Sequence, residues 1–182
     1  MKTSLEDPKP ITSAAQLINQ DSGNVEYYTP ANIIEAARRT MGWIDLDPFS
    51  CAVANQTIRA SSIYTKDDGE STFELEWHGN IWMNHPFSRA MNKRCVDKLI
   101  AEYVAGRVKQ ACCITFASTS EAWFRPLMDY PQCFLSPRTN YLNAEGKKVQ
   151  GVTKGSVATF IGPDNLLPAF REQFARLGKV KI

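Results

Sequence analysis

Apolar residues recur along this chain in short blocks whose spacing switches between that of helices and that of strands. Ile33, Ile34, Ala37 and Met41 share one helical face, with Thr29-Pro30 ahead of them and Gly42 behind. Proline suits the first helical turn, where its missing N–H costs nothing, and glycine suits the residue just past a helix. Ile44-Asp45-Leu46-Asp47 alternates apolar and acidic up to Pro48, which reads as a short strand. Residues 51–80 carry a weaker pattern: a helical turn or two from 52, a short strand at 62–65 and a turn at 66–70. Ile81-Trp82-Met83 is apolar throughout and predicts a buried strand. Asn84-His85-Pro86-Phe87 follows it, then Ser88, a good cap for a helix with the stripe Met91, Cys95, Val96, Leu99, Ile100, Tyr103 and Val104.

Ala111-Cys112-Cys113-Ile114-Thr115-Phe116 is a nearly unbroken apolar run, as in a parallel strand covered on both faces. Ser118 and Glu121 have capping-box spacing and predict a helix that takes in Ala122-Trp123-Phe124 before Pro126 limits it. Residues 133–135 and 158–161 predict further strands, 166–177 a helix and 180–182 a last strand. Strands alternating with helices predict an α/β fold with a mostly parallel sheet and helices on both faces. Residues 1–24 are polar and aperiodic and predict a flexible arm, leaving 25–182 as a single domain. Within it, residues 136–155 read as a basic, hairpin-like insertion.

Composition narrows the class. A hydrophobic share of 43% with 22% charged residues is that of a globular chain rather than a disordered one. No run of 18 apolar residues exists, so no membrane span is expected. Met1-Lys2-Thr3-Ser4-Leu5-Glu6-Asp7 lacks the apolar core of a signal peptide, and a cytoplasmic location is expected. The five cysteines have no C-x-x-C spacing and the two histidines do not cluster with them, so free thiols and no metal site are expected. The net charge of +2 conceals a division. Residues 1–88 hold 6 Lys and Arg against 12 Asp and Glu, net −6, whereas 89–182 hold 15 against 7, net +8. A basic half suits a polyanion, although segregated surface charge needs no partner.

The candidate chemistry gathers at strand ends. Ligands of open α/β sheets bind at the carboxyl ends of strands, where Asp47 and Asn84 both fall. Thr29 is either a plain helix cap or a hydroxyl for an anionic group at the helix start. Asp45 and Asp47 either cap a turn or accept hydrogen bonds from hydroxyls or an amine. No G-x-G-x-x-G is present, so a dinucleotide fingerprint is absent. Asn84-His85-Pro86-Phe87 offers a side-chain carbonyl, a main-chain carbonyl from His85, a rigid Pro86 and an aromatic ring. Two acceptors aimed at the two N–H bonds of a nucleobase amine draw its nitrogen towards tetrahedral geometry and free its lone pair. A ring can stack on a base removed from its duplex.

Three blocks, Tyr27-Tyr28-Thr29-Pro30, Ile44-Asp45-Leu46-Asp47-Pro48 and Trp82-Met83-Asn84-His85-Pro86-Phe87-Ser88, together resemble the phage-encoded DNA N6-adenine methyltransferase (Dam-type) family in order and spacing. Phe134-Leu135 with Arg138, and Phe160-Ile161-Gly162, are similar to its C-terminal part, so the resemblance spans about residues 25–162. It implies a Rossmann-like methyltransferase domain that moves a methyl group from S-adenosylmethionine to N6 of a flipped-out adenine in DNA, expected to be duplex. By that resemblance Asn84, His85, Pro86 and Phe87 are catalytic. Tyr28, Thr29, Pro30, Asp45, Asp47 and Pro48 would hold the cofactor. Ser88, Arg89, Lys93, Arg138, Lys147 and Lys148 are expected at the DNA. His85 stands where the family commonly has proline. That departure, with the basic second half, keeps open a catalytically degenerate fold that binds DNA; an enzyme acting on cytosine N4 or modifying another amine is a further alternative.

Overall fold

The computed structural model describes residues 27–68, 71–143, 145–149 and 152–182, with Arg89 in its backbone only. The arm expected at residues 1–24 lies outside them. Seven strands form one sheet in the order β2-β1-β3-β4-β6-β5-β7. They are β1 (Leu46–Asp47), β2 (Ser62–Ile63), β3 (Gly79–Met83), β4 (Val108–Phe116), β5 (Gln132–Leu135), β6 (Ser156–Ile161) and β7 (Gly178–Lys181). The half that runs β2-β1-β3-β4 is parallel. β6 runs against both β4 and β5, and β7 against β5. The helices are α1 (Ala31–Met41), α2 (Ala52–Ile58), α3 (Ser71–Glu74), α4 (Arg89–Val104) and α5 (Leu167–Phe174).

Both faces of the sheet are covered, because side chains of a strand alternate between faces. On β3, Trp82 enters a core with Ile33, Ile34 and Ala37 of α1 and Phe170 and Phe174 of α5. Its neighbours Ile81 and Met83 enter the opposite core with Cys95, Val96 and Leu99 of α4. β4 divides in the same way, Cys112 and Ile114 to the first core and Ala111 and Cys113 to the second. That two-sided burial is why these strands read as unbroken apolar runs. The five cysteines are free, four of them buried.

From β1 the chain passes through α2 to β2 on one side, then returns to place β3 and β4 on the other side of β1. The strand order therefore reverses between β1 and β3, and a crevice opens at their carboxyl ends. Asp47 is the last residue of β1, and Asn84 follows the last residue of β3.

Several sequence expectations change in three dimensions. Pro30, not Thr29, occupies the cap position of α1, and no side chain caps that end. The helix expected from Ser118 does not form; after a series of turns a 3₁₀ segment runs from Arg125 to Asp129. Pro126 has no main-chain N–H with which to continue an α-helix from Ala122, and the segment closes as a short 3₁₀ turn instead. Trp123 and Phe124 are instead buried edge to face, 5.5 Å apart. Val104 leaves the α4 stripe and is 77% exposed. Five residues past Leu99, it has turned about 140° away from it. The last helix and strand are shorter or shifted, at 167–174 and 178–181. No helix among the described residues is long and apolar enough to cross a membrane.

Candidate active site

The crevice is a cleft of about 970 Å³. The segment before α1, the loops after β1 and β2, the turn after β3 and the loop at 142–146 all contribute to its wall. Asp47, Pro48, Asn84, His85, Pro86, Tyr28 and Thr29 line it. Sequence blocks more than 50 residues apart thus meet in one space.

Asn84 is held by one half of its amide. Nδ2 donates to the Tyr27 main-chain oxygen at 2.5 Å. A carbonyl can only accept, so this contact fixes which end of the amide faces it. The other end, Oδ1, is buried and has no hydrogen-bond partner. Asn84 therefore presents a free, oriented acceptor at the cleft.

Asp47 is 1% exposed. Its Oδ1 accepts from the Phe49 amide at 3.1 Å, while Oδ2 has no partner. Burial pushes its carboxyl from the ordinary 3.8 up to about 7, against the opposing pull of the Phe49 amide and the neighbouring Ser50 hydroxyl. Ser50 Oγ lies close enough to influence the carboxyl yet meets no hydrogen-bonding geometry, and it is unpartnered. Thr29 Oγ1 is buried and unpartnered too. Buried polar atoms are ordinarily paired, so orphans that converge on one cleft mark a place built for a ligand. The plain-cap reading of Thr29 fails here, because its hydroxyl caps nothing. Tyr28 Oη meets Cys51 Sγ at 3.4 Å; this bond, with burial, pushes the phenol up to about 12.

His85 is buried, with Nε2 at 2.9 Å from Asn92 Oδ1 and Nδ1 unpartnered. Burial lowers its pKa to about 4, with Asn92 pulling weakly the other way, so the ring is neutral at physiological pH.

Other expected residues stand elsewhere. Asp45 is not part of the cleft wall. Its carboxylate accepts from Trp43 Nε1 at 2.9 Å and from the Asn80 amide at 2.7 Å, at the amino end of β3. A Cβ on Gly79, which has φ +76, would sit 2.3 Å from Asp45 Oδ2, so this junction needs glycine. Asp45→Ala is expected to cost about 1–3 kcal/mol of stability and to leave cofactor affinity within twofold. Chemical denaturation and calorimetry check the two halves separately. Pro30 adjoins the wall without lining it.

Phe87 lies behind the wall rather than on it. Its ring is 6% exposed and packs against Phe116 at 4.4 Å, His85 at 5.6 Å, Tyr141 at 5.7 Å and Tyr27 at 5.8 Å. Tyr27, only half-buried, lines the cleft together with His85, whereas Phe87, Phe116 and Tyr141 do not.

The residues expected at DNA are scattered. Ser88 caps α4 by accepting from Met91 N at 3.3 Å. Arg89 begins that helix. Lys93 is exposed and paired with Asp97. Arg138, Lys147 and Lys148 are exposed. The 142–149 loop is tied to the α1 entry segment, Tyr28 N to Leu142 O at 2.8 Å and Leu142 N to Tyr28 O at 2.9 Å. Leu142, Asn143 and Gly146 line the cleft, so Lys147 and Lys148 stand at its rim.

Residues 19–169 match the family model described as DNA N-6-adenine-methyltransferase (Dam). The chain belongs to this family. A search of curated proteins gives no match. The matched span contains every cleft residue named above, together with the Asn-His-Pro-Phe turn in which this Dam-family chain has His85.

Sequence reasoning did not single out Tyr27, Ser50, Asn92 or the 142–146 wall as functional. Tyr27 and Ser50 adjoin residues that it did single out, so proximity in sequence was a usable signal. Asn92 is one turn into α4 and carries none. No group of three or more His, Cys, Asp or Glu among the described residues could hold a metal ion.

Proposed function

We propose that this chain is a DNA methyltransferase that transfers a methyl group from S-adenosylmethionine to N6 of an adenine turned out of its duplex. The observation that carries the reading is the Asn84 amide, locked at Nδ2 by Tyr27 and free at Oδ1, facing the cleft that Asp47 closes on the other side. The cofactor fits the orphaned donors and acceptors of the cleft. Asp47 Oδ2 and Ser50 Oγ suit hydroxyl or amine hydrogens, and Thr29 Oγ1 at the start of α1 suits a carboxylate. When bound, S-adenosylmethionine supplies an electrophilic methyl group on a sulfonium.

Asn84 Oδ1 accepts one hydrogen of the adenine amine and the His85 main-chain carbonyl accepts the other. Pro86 holds His85 in extended geometry, which keeps that carbonyl in place. The Tyr27 ring meets the face of the base, with Phe87 supporting it from behind. Phe87 thus contributes to stacking through Tyr27. Asn84 carries a carboxamide acceptor suited to the adenine amine. The burial that excludes water strengthens each of these contacts. The reaction asks for positioning and charge complementarity, both of which this turn supplies, rather than for a strong base.

Incubation of the full chain with duplex DNA and labelled S-adenosylmethionine, followed by digestion to nucleosides, is expected to yield N6-methyladenosine as the deoxynucleoside. Label in N4-methylcytosine, or DNA binding without any label, would overturn the reading in favour of one of the two alternatives.

Arg138, Lys147 and Lys148, with Arg89 and Lys93, are the proposed phosphate contacts. Replacing Lys147 and Lys148 together by Ala is expected to reduce the slope of log affinity against log salt by about 2, near 0.9 for each phosphate no longer neutralised. Fluorescence anisotropy across a salt series measures it, and an unchanged slope removes the loop from the interface.

A further inference from the structure

His85 departs from proline in the turn that holds the target base, and the fold surrounds its ring with a specific set of contacts. The ring stands edge-on to Phe87 at 5.6 Å and 80°, and to Phe49 at 6.3 Å and 63°. Phe49 belongs to the loop after β1 that carries Asp47. The ring therefore sits between the half of the cleft assigned to the cofactor and the half assigned to the base. Asn92, one turn into α4, closes the third side. Its Oδ1 lies 2.9 Å from His85 Nε2, and its main-chain N–H is tied to the Ser88 carbonyl at 2.9 Å. An amide oxygen can only accept, so Nε2 carries the proton and Nδ1 keeps its lone pair.

We propose that Asn92 is a positioning residue: by accepting from His85 Nε2–H it holds the buried imidazole in one neutral tautomer between Phe49 and Phe87, and so fixes the His85 main-chain carbonyl that meets the target amine. The inference rests on the methyl-transfer reading above. A proline ring at this position restrains the backbone covalently; here a side-chain anchor to α4 does so instead, and Pro86 adds the restriction it places on the residue before it. The side chains packed on the ring, Phe49, Phe87 and Asn92, are all uncharged. The charged groups on the same elements are Asp47 at the end of β1 and, on α4, Arg89, Lys93, Arg94, Asp97, Lys98 and Glu102, with Lys93 paired to Asp97 and Lys98 to Glu102. Burial favours the neutral ring and lowers its pKa to about 4. A proton taken up at Nδ1 leaves the Nε2–H bond to Asn92 in place, and that bond favours the charged ring. Acid acts on this anchor by setting an imidazolium in a buried place, as pH falls through the folded value.

Two substitutions and one spectroscopic measurement test this on the full chain with duplex DNA and S-adenosylmethionine. Asn92→Ala removes the acceptor and is expected to lower kcat by up to about 10²-fold, the cost of a small misplacement of a reacting contact, with KM for the cofactor within twofold. Asn92→Asp keeps the acceptor and adds a charge that stabilises imidazolium. It is expected to retain wild-type kcat at pH 8.5 and, at saturating cofactor so that the titration of Asp47 does not enter, to shift the acid limb of kcat upward by about 1–3 units. A role confined to packing would not produce that split. Nitrogen NMR of a His78→Gln background leaves His85 as the only histidine, because the chain has two. The expected signature is one neutral tautomer protonated at Nε2, absent in Asn92→Ala. An averaged pair of ring nitrogens in the Asn92 protein, an unchanged kcat in Asn92→Ala, or an unmoved acid limb in Asn92→Asp would each overturn the proposal. An inactive wild type instead removes the methyl-transfer reading, and the inference falls with it.

Discussion

Asn84→Ala is expected to lower methyl transfer to adenine by about 10²–10³-fold, the scale of removing one preorganised hydrogen-bonding group where charge develops, while cofactor affinity stays within a few fold. The expectation follows from where the Asn84 bonds go. Nδ2 is committed to Tyr27 O, and only Oδ1 is left for a substrate. Asn84→Asp sharpens the test. It keeps the acceptor but sets a carboxylate oxygen against the Tyr27 carbonyl, two acceptors with no proton between them. Transfer is expected to fall with Asp as well as with Ala, although size and polarity are kept. Single-turnover kinetics with labelled cofactor measure the rate, and circular dichroism checks the fold. Full activity in Asn84→Asp would mean that Tyr27 does not orient the side chain.

The second large effect concerns Asp47 and appears in stability as well as binding. Its folded pKa, about 7, is raised above the ordinary 3.8. A raised folded value means that the folded chain holds its proton more tightly than the unfolded chain does. The associated stability is fully present below pH 3.8 and is lost as pH rises through about 7. The shift corresponds to roughly 4 kcal/mol at most. Asp47→Asn cannot ionise, so the fall in Tm between pH 4 and 8 is expected to flatten. At pH 8 the variant is expected to melt roughly 5 °C above wild type, after an allowance for an imperfectly paired amide. The same substitution is expected to abolish measurable cofactor binding, because the ionised carboxylate is the form that accepts from hydroxyl and amine hydrogens. Wild-type affinity should accordingly weaken about fivefold between pH 7 and pH 6, with the slope approaching about tenfold per pH unit below that. Scanning calorimetry and titration calorimetry on the same preparations decide both. A wild-type Tm independent of pH over this range would mean that Asp47 is not held as described.

Both positions carry a cost in stability that the proposed ligands would offset. Asp47 and Asn84 each leave a buried oxygen unpaired, which a cleft designed only for packing would avoid.

Much of the local architecture was legible in the chain. The 3.6-residue period of α1 and the closing Gly42, the unbroken apolar runs of β3 and β4, and Ser88 ahead of α4 each have a local physical cause, and each appears in the structure. The short strands were harder to read. β1 and β2 hold two residues each, too few for alternation to separate from a turn. The Ser118 capping box was misleading because its spacing is local, whereas Pro126 and the burial of Trp123 and Phe124 decide the outcome.

By itself, then, the sequence determined the α/β class, the placement of Asp47 and Asn84 at strand ends, and the ordered blocks shared with the Dam family. Each of these depends on residues near one another in the chain. Only the tertiary structure separated Asp45 from Asp47. The two acids stand two residues apart, yet one is tied to the amino end of β3 and the other opens into the cleft. It also set Phe87 behind Tyr27, brought the 142–146 loop against Tyr28 and joined His85 to Asn92. Hydrogen-bond partners and the side of a wall on which a ring lies depend on contacts between distant segments, and no local pattern encodes them.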